Sequence, residues 1–282
     1  TGDIYGSLTV PEKETPTPLV IIIPGSGAPD RDGNMPPVLQ TNVYKMLAEK
    51  LAENGISSLR YDKRGIAKSK AAIEGENKLH FETYVNDVVD WVALLKKDKR
   101  FSGITLLGHS EVSLIGILAA EQTQVASFIS IAGAGRSIDK ILRDQLKSLP
   151  TDLLSESDNI INSLLAGETV SNVNANLNTI FRPSVQPYLI SWMKYDPAIE
   201  IAKLKIPILI IQGVTDLQVS VEDAELLHYA SPDAQLVIIE DMNHVLKKSS
   251  ADLQENKATY SNPKLPLKES LIDTIVEFLK SK

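Results

Sequence analysis

The chain contains no cysteine, which excludes disulfide bonds, thiolate metal sites and cysteine nucleophiles. It also has no apolar run long enough to cross a bilayer, because the longest runs, residues 19–23 and 206–211, have the length of single strands. Basic residues are in the minority, with 29 Lys and Arg against 36 Asp and Glu, and they form no extended cluster. The net charge of −7 argues against nucleic acid and against an anionic membrane as partners.

The remaining composition is typical of a soluble globular protein, with 43% hydrophobic and 23% charged residues. A chain of 282 residues is long enough for one large α/β domain with an insertion, or for two small domains. The first residue is Thr1 rather than Met. That start is compatible both with an exported protein whose leader was removed and with a cytoplasmic protein, so it leaves localisation open.

Strand-like and helix-like segments alternate along most of the chain, which predicts parallel βαβ units. The predicted strands of the parallel sheet are residues 19–23, 56–61, 104–107, 127–131, 207–211 and 236–239, with an edge strand at residues 4–10. Helices are predicted at residues 43–52, 81–97 and 271–279. We therefore expect an α/β fold in one domain, residues 1–282, with a mostly parallel sheet flanked by helices.

Residues 137–197 interrupt this alternation. They carry leucine and isoleucine at helical spacing and an asparagine-rich stretch, but no strand pattern. Helices that merely cover one face of the sheet would give the same pattern. Because the segment joins two strands whose carboxyl ends lie at the ligand-binding edge of such sheets, we predict a helical cap inserted within the domain.

The segment Gly108-His109-Ser110 stands between an apolar run and a stretch of helical character. This is typical of a nucleophile elbow, G-x-S-x-G, in which a strained strand-to-helix turn presents a serine hydroxyl and small residues prevent clashes. The last position is Val112 instead of glycine. A β-branched side chain without room there would cost roughly 1–3 kcal/mol. Three interpretations are open: a small residue nearby makes room, the elbow is displaced and activity is low, or the residue was altered from the natural sequence.

A serine nucleophile needs a base, and the base needs a group that orients it. His244 follows the last predicted strand, and Asp216 follows the strand before it. Both are therefore expected at the same sheet edge as Ser110. The other histidines are expected in structural positions: His80 exposed ahead of a helix, His109 packed beside the turn, and His228 on a helix surface.

Motifs spread over residues 4–280 resemble the α/β-hydrolase superfamily, in its branch of serine esterases and serine aminopeptidases. They are residues 23–27 with 30–34, residues 60–65, Gly108 to Glu111, Gly213 to Asp216 with Val219, and Asn243-His244. The order Ser110, Asp216, His244 is the order of that topology. The resemblance implies that Ser110 attacks an acyl carbonyl, that His244 transfers the proton, and that Asp216 orients the imidazole. Ala67, where similar loops often carry glycine, is a minor departure.

The resemblance also implies an oxyanion hole built from the backbone N–H groups of Ser26 and Glu111. Glycine at positions 25 and 27 is also expected independently of the resemblance, since glycine allows a sharp turn and a close approach to a ligand. A phosphate cradle is the rival interpretation, but no G-K-[ST] sequence follows.

Two further groups are candidates for substrate contact, beside Gly25 and Gly27. Arg31 lies in the charged loop of residues 30–32, where turn hydrogen bonds and ion pairs are the alternative. Trp192 is one of four aromatic residues that could give the predicted cap an apolar lining, the others being Phe181, Tyr188 and Tyr195. The resemblance implies that the loop of residues 62–65 braces the loops beneath the site. No His and carboxylate set has metal-ligand spacing, so neither a metal nor another cofactor is predicted.

The sequence thus predicts a serine hydrolase that cleaves small-molecule carboxylic esters through an acyl-enzyme. One alternative is a peptidase or amidase with the same triad, which would need carboxylates for an α-amino group, such as Asp152, Glu156 or Asp158 in the cap. Another is a poorly active or non-catalytic binder whose elbow is spoiled by Val112. Acyl preference, oligomeric state and biological role stay open.

Overall fold

The computed structural model describes residues 2–281, so Thr1 and Lys282, the two ends of the predicted domain, lie outside the described residues. The strands are β1 Gly6–Thr9, β2 Thr17–Ile23, β3 Asn34–Met35, β4 Leu39–Gln40, β5 Ser57–Tyr61, β6 Phe101–His109, β7 Ser127–Ile131, β8 Ile208–Gly213 and β9 Gln235–Ile239. Within this range, seven of them form one sheet in the order β1-β5-β2-β6-β7-β8-β9. The edge strand β1 is antiparallel to β5 and the other pairs are parallel. The predicted mostly parallel sheet is confirmed.

Helices cover both faces of the sheet. They are α1 Val43–Glu53, α2 Phe81–Leu95, α3 Val112–Gln122, α4 Ile138–Leu146, α5 Thr151–Leu165, α6 Asn178–Phe181, α7 Gln186–Trp192, α8 Pro197–Ile201, α9 Val221–Ala230, α10 Leu253–Ala258 and α11 Glu269–Lys280. Short 3-10 turns lie at Ala67–Ala72, Glu76–Lys78, Ala175–Leu177 and Thr259–Ser261. No helix among residues 2–281 is both long enough and apolar enough to span a membrane.

The alternation of side chains along β2 explains this layering. Leu19, Ile21 and Ile23 pack into the hydrophobic core formed with α2, α3 and α9. Val20 and Ile22 point the other way, into the core formed with α1 and α11. All five side chains are fully buried, as expected for a strand covered on both faces.

The predicted cap segment, residues 137–197, is helical and carries no strand among the described residues. Its helices α4 to α7, with α8 beginning at its end, connect β7 to β8 and have a hydrophobic core of their own. Helix α7 lies against α2, where the Phe81 N–H donates to the Ser191 hydroxyl at 2.7 Å. The segment is thus a packed helical unit anchored beside the start of α2.

The structure differs from the sequence prediction mostly at element ends. Helix α2 ends at Leu95 rather than at residue 97, and β1 is shorter than residues 4–10. The β3–β4 hairpin and α10 are not predicted from the sequence, because two-residue strands and helices of one or two turns are too short to show a period.

Candidate active site

Strand order places the candidate residues together. The chain passes from β2 out to β5 and then returns to β6 on the other side of β2. Connections therefore leave in opposite directions at the carboxyl ends of β2 and β6, which is where open α/β sheets bind ligands. Gly25 and Ser26 follow β2 at this point, and Ser110 follows β6.

Ser110 lies in the strained turn that the motif predicts. Its φ is 63°, in the left-handed region that residues other than glycine rarely adopt, and its N–H donates to the Ile131 carbonyl at 2.9 Å. Helix α3 begins two residues later at Val112. Gly108 is required here, because a Cβ at that position would lie 2.6 Å from the Ser113 Cα. The turn therefore holds Ser110 at the strand end despite the missing glycine.

Val112 does not enter the cavity that contains Ser110. Its side chain is 1% exposed and belongs to the core on the α2 and α3 face of the sheet. The backbone of Ser110 has a positive φ with valine at position 112. The valine is thus a core residue in this fold, and the geometry does not show the displaced elbow that the sequence leaves open.

Replacing Val112 with glycine should accordingly affect stability more than turnover. Loss of the buried side chain and the lower helix propensity of glycine should together reduce the free energy of unfolding by about 2–4 kcal/mol. Ester kcat/KM should stay within about threefold, because no atom of the cavity is removed. Chemical denaturation and steady-state kinetics on the same preparations measure both. A rise of about tenfold or more in kcat/KM would mean instead that the valine impairs the elbow.

His244 and Asp216 form a hydrogen-bonded pair. His244 Nδ1 donates to Asp216 Oδ2 at 2.8 Å, and both side chains are almost fully buried. The other carboxylate oxygen, Oδ1, accepts the N–H groups of Gln218 at 2.7 Å and Val219 at 3.0 Å. Burial by itself would raise the pKa of the Asp216 carboxyl, but the His244 charge and these hydrogen bonds hold it below its ordinary value. Asp216 is thus kept as a carboxylate that fixes the imidazole through Nδ1 and leaves Nε2 available.

Ser110 and His244 line the same cavity, of about 260 Å³. In this geometry the Ser110 hydroxyl makes no hydrogen bond to the His244 imidazole. Hydrogen bonds between nucleophile and base are often looser before a substrate is in place. The structure therefore brings the three predicted residues to one edge, with the His–Asp contact formed.

The two predicted oxyanion donors are unpaired. In the described part of the chain, the backbone N–H groups of Ser26 and Glu111 donate to no protein acceptor. The N–H of Gly25, one residue earlier, is instead held by the Tyr44 hydroxyl at 2.7 Å. Two backbone donors are thus left free where β2 and β6 end.

His109 connects Tyr44, which holds the Gly25 N–H, to the backbone of His244. Its Nε2 lies 2.9 Å from the His244 carbonyl oxygen, which can only accept, so Nε2 carries the proton. Its Nδ1 then accepts from the Tyr44 hydroxyl at 2.8 Å. Burial, together with repulsion from His244, lowers the pKa of His109 to about 3, so the imidazole is neutral. The expectation that His109 packs beside the turn is confirmed.

The other two histidines, His80 and His228, also lie in positions that indicate a structural role. His80 is exposed immediately before α2, as predicted. His228, expected from the sequence on a helix surface, is half-buried on α9, and its Nδ1 is enclosed without a hydrogen-bond partner among the described residues.

Lys63 and Glu111 lie behind the predicted oxyanion loop, which is the segment of Gly25 and Ser26. Lys63 is 4% exposed, and its ammonium donates to the Gly25 carbonyl at 2.5 Å. Glu111 lies close enough to Lys63 for their charges to interact, and it accepts the Tyr188 hydroxyl at 2.8 Å. Burial raises the pKa of Glu111, against the effects of Lys63, Tyr188 and the Ser26 hydroxyl. Tyr188 belongs to α7, so this cluster is also where the predicted cap reaches the loop.

The cavity is lined mainly by apolar side chains. Its lining residues are Gly25, Ser26, Pro29, Gly33, Met35, Val38, Leu39, Thr41, Val43, Tyr44, His109, Ser110, Gln218, His244, Val245 and Tyr260. None of these described residues is Asp, Glu, Lys or Arg. The cavity thus offers hydrogen bonds near Ser110 and an uncharged wall elsewhere.

Of the predicted substrate contacts, Gly25 lines this cavity and the others lie elsewhere. The Arg31 guanidinium is paired with Asp62 at 2.5 Å, and Trp192 is stacked on Phe81 with ring centroids 5.5 Å apart. Gly27 has a φ of 70°, and a Cβ added there would have no atom within 4 Å, so this residue borders open space. Arg31 therefore takes the ion-pair alternative, and the half-buried Trp192 packs against the hydrophobic core.

Sequence reasoning missed much of the cavity wall. Met35, Val38 and Leu39 belong to the β3–β4 hairpin, and Tyr260 lies in a 3-10 turn far along the chain. No motif marks these residues, because they meet only through tertiary folding. Among the described residues, no three His, Asp or Glu side chains are grouped as metal ligands would be.

Comparison with known proteins identifies relatives of this chain. Residues 40–249 match the family model described as "Hydrolase_4: Serine aminopeptidase, S33". Esterase EstD of Thermotoga maritima is 27% identical over 244 residues, which is 86% of this chain. The chain spans 57% of the length of that curated relative.

Solved structures share the fold at low sequence identity. Est1E from Butyrivibrio proteoclasticus, determined with ferulic acid bound, is similar with a TM-score of 0.65 and 20% identity, covering 99% of this chain and 93% of that one. The enol-lactonase from Burkholderia xenovorans LB400 has a TM-score of 0.58 and 17% identity, covering 98% and 96%. Together with the sheet order, these findings confirm the predicted α/β-hydrolase fold.

Proposed function

The chain belongs to the serine aminopeptidase S33 family of α/β-hydrolases, and from this premise we propose that it is a serine carboxylester hydrolase acting through an acyl-enzyme. The observation that carries the proposal is the His244–Asp216 hydrogen bond of 2.8 Å at the cavity into which the strained Ser110 turn opens. A serine, a histidine and a carboxylate in this relation form the group that activates a hydroxyl.

The proposed acylation step uses these three residues together. The Ser110 oxygen attacks the ester carbonyl carbon while His244 Nε2 accepts the hydroxyl proton, and the imidazolium formed is stabilised by Asp216. The carbonyl oxygen becomes an oxyanion that accepts the free N–H groups of Ser26 and Glu111. When the C–O bond to the alcohol breaks, His244 returns its proton to the leaving oxygen.

Deacylation uses the same groups in reverse. A water molecule attacks the acyl carbonyl, His244 takes its proton, and the second oxyanion forms in the same hole. Breaking of the bond to Ser110 then releases the carboxylic acid, and the proton returns to the serine oxygen. No cofactor takes part in the proposed cycle.

An uncharged acyl group fits the cavity best. The wall is formed by side chains such as Met35, Val38, Leu39 and Val245, and a cavity of about 260 Å³ suits a short chain or a single ring. A buried charge facing such a wall would lack a partner. The 27% identity to Esterase EstD and the likeness to Est1E support ester chemistry in the same sense.

The peptidase alternative has less support. The carboxylates considered for an α-amino group lie on α5 and are outside the cavity lining. The Arg143 guanidinium is paired with Asp158, and Glu156 accepts the Asn174 N–H at 2.8 Å. These groups hold the helical segment together, so an aminoacyl substrate would find no carboxylate in the cavity wall.

Labelling with a fluorophosphonate tests the proposal directly. An activated serine attacks the phosphorus and becomes covalently phosphonylated, while an ordinary serine does not. We expect a single adduct, located at Ser110 by peptide mass spectrometry, and faster hydrolysis of uncharged p-nitrophenyl esters than of aminoacyl p-nitroanilides. An unlabelled Ser110 in folded protein would rule the proposal out, and preference for the anilides would favour the peptidase.

A further inference from the structure

Lys63 is buried beside the oxyanion loop, yet it has no place in the triad. Its ammonium is 2.5 Å from the Gly25 carbonyl oxygen, and it forms no salt bridge with a carboxylate among the described residues. A buried cation without a close ion-pair partner is costly to keep. The only contact of hydrogen-bond length that it makes within residues 2–281 is this carbonyl.

The Gly25 carbonyl and the Ser26 N–H belong to one peptide group. The bond is trans, since the cis bond found in the described chain is at Pro36–Pro37, so carbonyl and N–H point in opposite directions. Resonance couples them: a cation at the oxygen increases the double-bond character of C–N and makes the N–H a stronger donor. The ammonium thus acts at one end of the peptide, and the free N–H is presented at the other.

The same loop is held from its other side as well. The Gly25 N–H donates to the Tyr44 hydroxyl at 2.7 Å, and that hydroxyl donates onward to His109. Tyr44 is almost fully buried, so the loop has little freedom to rotate. With the Gly25 residue fixed at both its N–H and its carbonyl, the direction of the following N–H is fixed too.

Resting on the proposed esterase function, we propose that Lys63 is a positioning residue of the oxyanion hole, which orients and polarises the Gly25–Ser26 peptide so that the Ser26 N–H stabilises the oxyanion. Its positive charge also stabilises negative charge nearby, both on Glu111, whose pKa it lowers against the effect of burial, and on the substrate oxygen. Such an effect acts in the transition state and not on the bound ester.

The charge on Lys63 should make turnover pH-dependent. Burial lowers the pKa of Lys63 to about 8, with Glu111 acting in the opposite direction. The groups that face it are Glu111 on the turn before α3, the Tyr84 ring on α2 at 5.6 Å from Nζ, and the Tyr188 hydroxyl on α7 through Glu111. Below that pKa the amine is cationic and the peptide is polarised. As the pH rises through it, the charge is lost and kcat should fall.

The test compares Lys63→Met, which removes the charge at similar length, with Lys63→Arg, which keeps it. We expect Lys63→Met to lower kcat about 10-fold or more at neutral pH with KM within about twofold, less than the 10²- to 10³-fold typical of deleting a donor outright. Lys63→Arg should recover most of kcat, because the guanidinium can donate to the same carbonyl. The kcat profile of the wild type should fall through an apparent pKa near 8, and this alkaline fall should be absent from both variants.

Lys247 is the matched control, because it is a second buried lysine whose pKa burial lowers to about 8. Its ammonium donates to the Asn262 and Leu265 carbonyls, away from the oxyanion loop. Lys247→Met should therefore keep the alkaline fall. The proposal is overturned if folded Lys63→Met retains wild-type kcat, if its alkaline fall persists, or if Lys247→Met removes that fall. Fluorophosphonate labelling of the same samples separates this failure from that of the esterase proposal, in which the wild type itself would neither label nor turn over esters.

Discussion

Replacing Ser110 with alanine is expected to reduce kcat/KM for ester hydrolysis by at least about 10⁴-fold and to abolish fluorophosphonate labelling. The change deletes the one oxygen that can form the acyl-enzyme in the proposed cycle. Residual activity would reflect only substrate binding and the oxyanion donors acting on water. Steady-state kinetics with a p-nitrophenyl ester and labelling of the same preparation measure both effects.

Ser113 supplies a matched control one turn further along the chain. It is buried, and its hydroxyl is paired with that of Ser130 at 2.7 Å, away from the cavity. Ser113→Ala should lower stability by about 1 kcal/mol and leave labelling at Ser110 intact. If Ser110→Ala retained near wild-type turnover while Ser113→Ala did not, the result would show that Ser110 is not the nucleophile.

Replacing Asp216 with asparagine should have the next largest effect, a fall in kcat of about 10⁴-fold. The Asn amide can still accept the Gln218 and Val219 N–H groups through its oxygen, so the loop should keep its shape. Its NH₂ group would then face His244 Nδ1 and favour the tautomer that has the proton on Nε2. That imidazole cannot accept the serine proton.

Asp223→Asn controls for the loss of a buried carboxylate as such. The Asp223 side chain is almost as buried as that of Asp216, but it is paired with Arg136 and accepts the Gly135 N–H away from the cavity. Its replacement should destabilise the protein while kcat changes by less than about threefold. Equal losses of kcat in the two variants would show that Asp216 acts through stability alone. Thermal or chemical denaturation, run beside the kinetics, separates the two explanations.

The prediction of the parallel sheet and of the Ser110 turn depends on local features of the sequence. The consecutive apolar residues of β2 indicate a strand that is buried on both faces. Gly108 indicates that the backbone of the strand end lies close to the backbone of Ser113. Both signals lie within a few residues and follow from strand geometry and steric exclusion. For the same reason, the local motif suggests that Val112 does not fit, although the core that buries it is assembled from elements distant in sequence, such as β2 and α2.

The sequence is sufficient to establish the fold class, the absence of cysteine chemistry, and the sheet edge at which Ser110, Asp216 and His244 are expected to meet. Which side chains face the cavity depends on the tertiary structure, since Arg31 is drawn into a pair with Asp62 and Trp192 into a stack with Phe81. Folding also brings the β3–β4 hairpin and Tyr260 to the wall, and Lys63 to the back of the oxyanion loop. Local pattern encodes secondary structure through periodicity, whereas pairings between residues far apart in sequence arise from packing and leave no periodic trace.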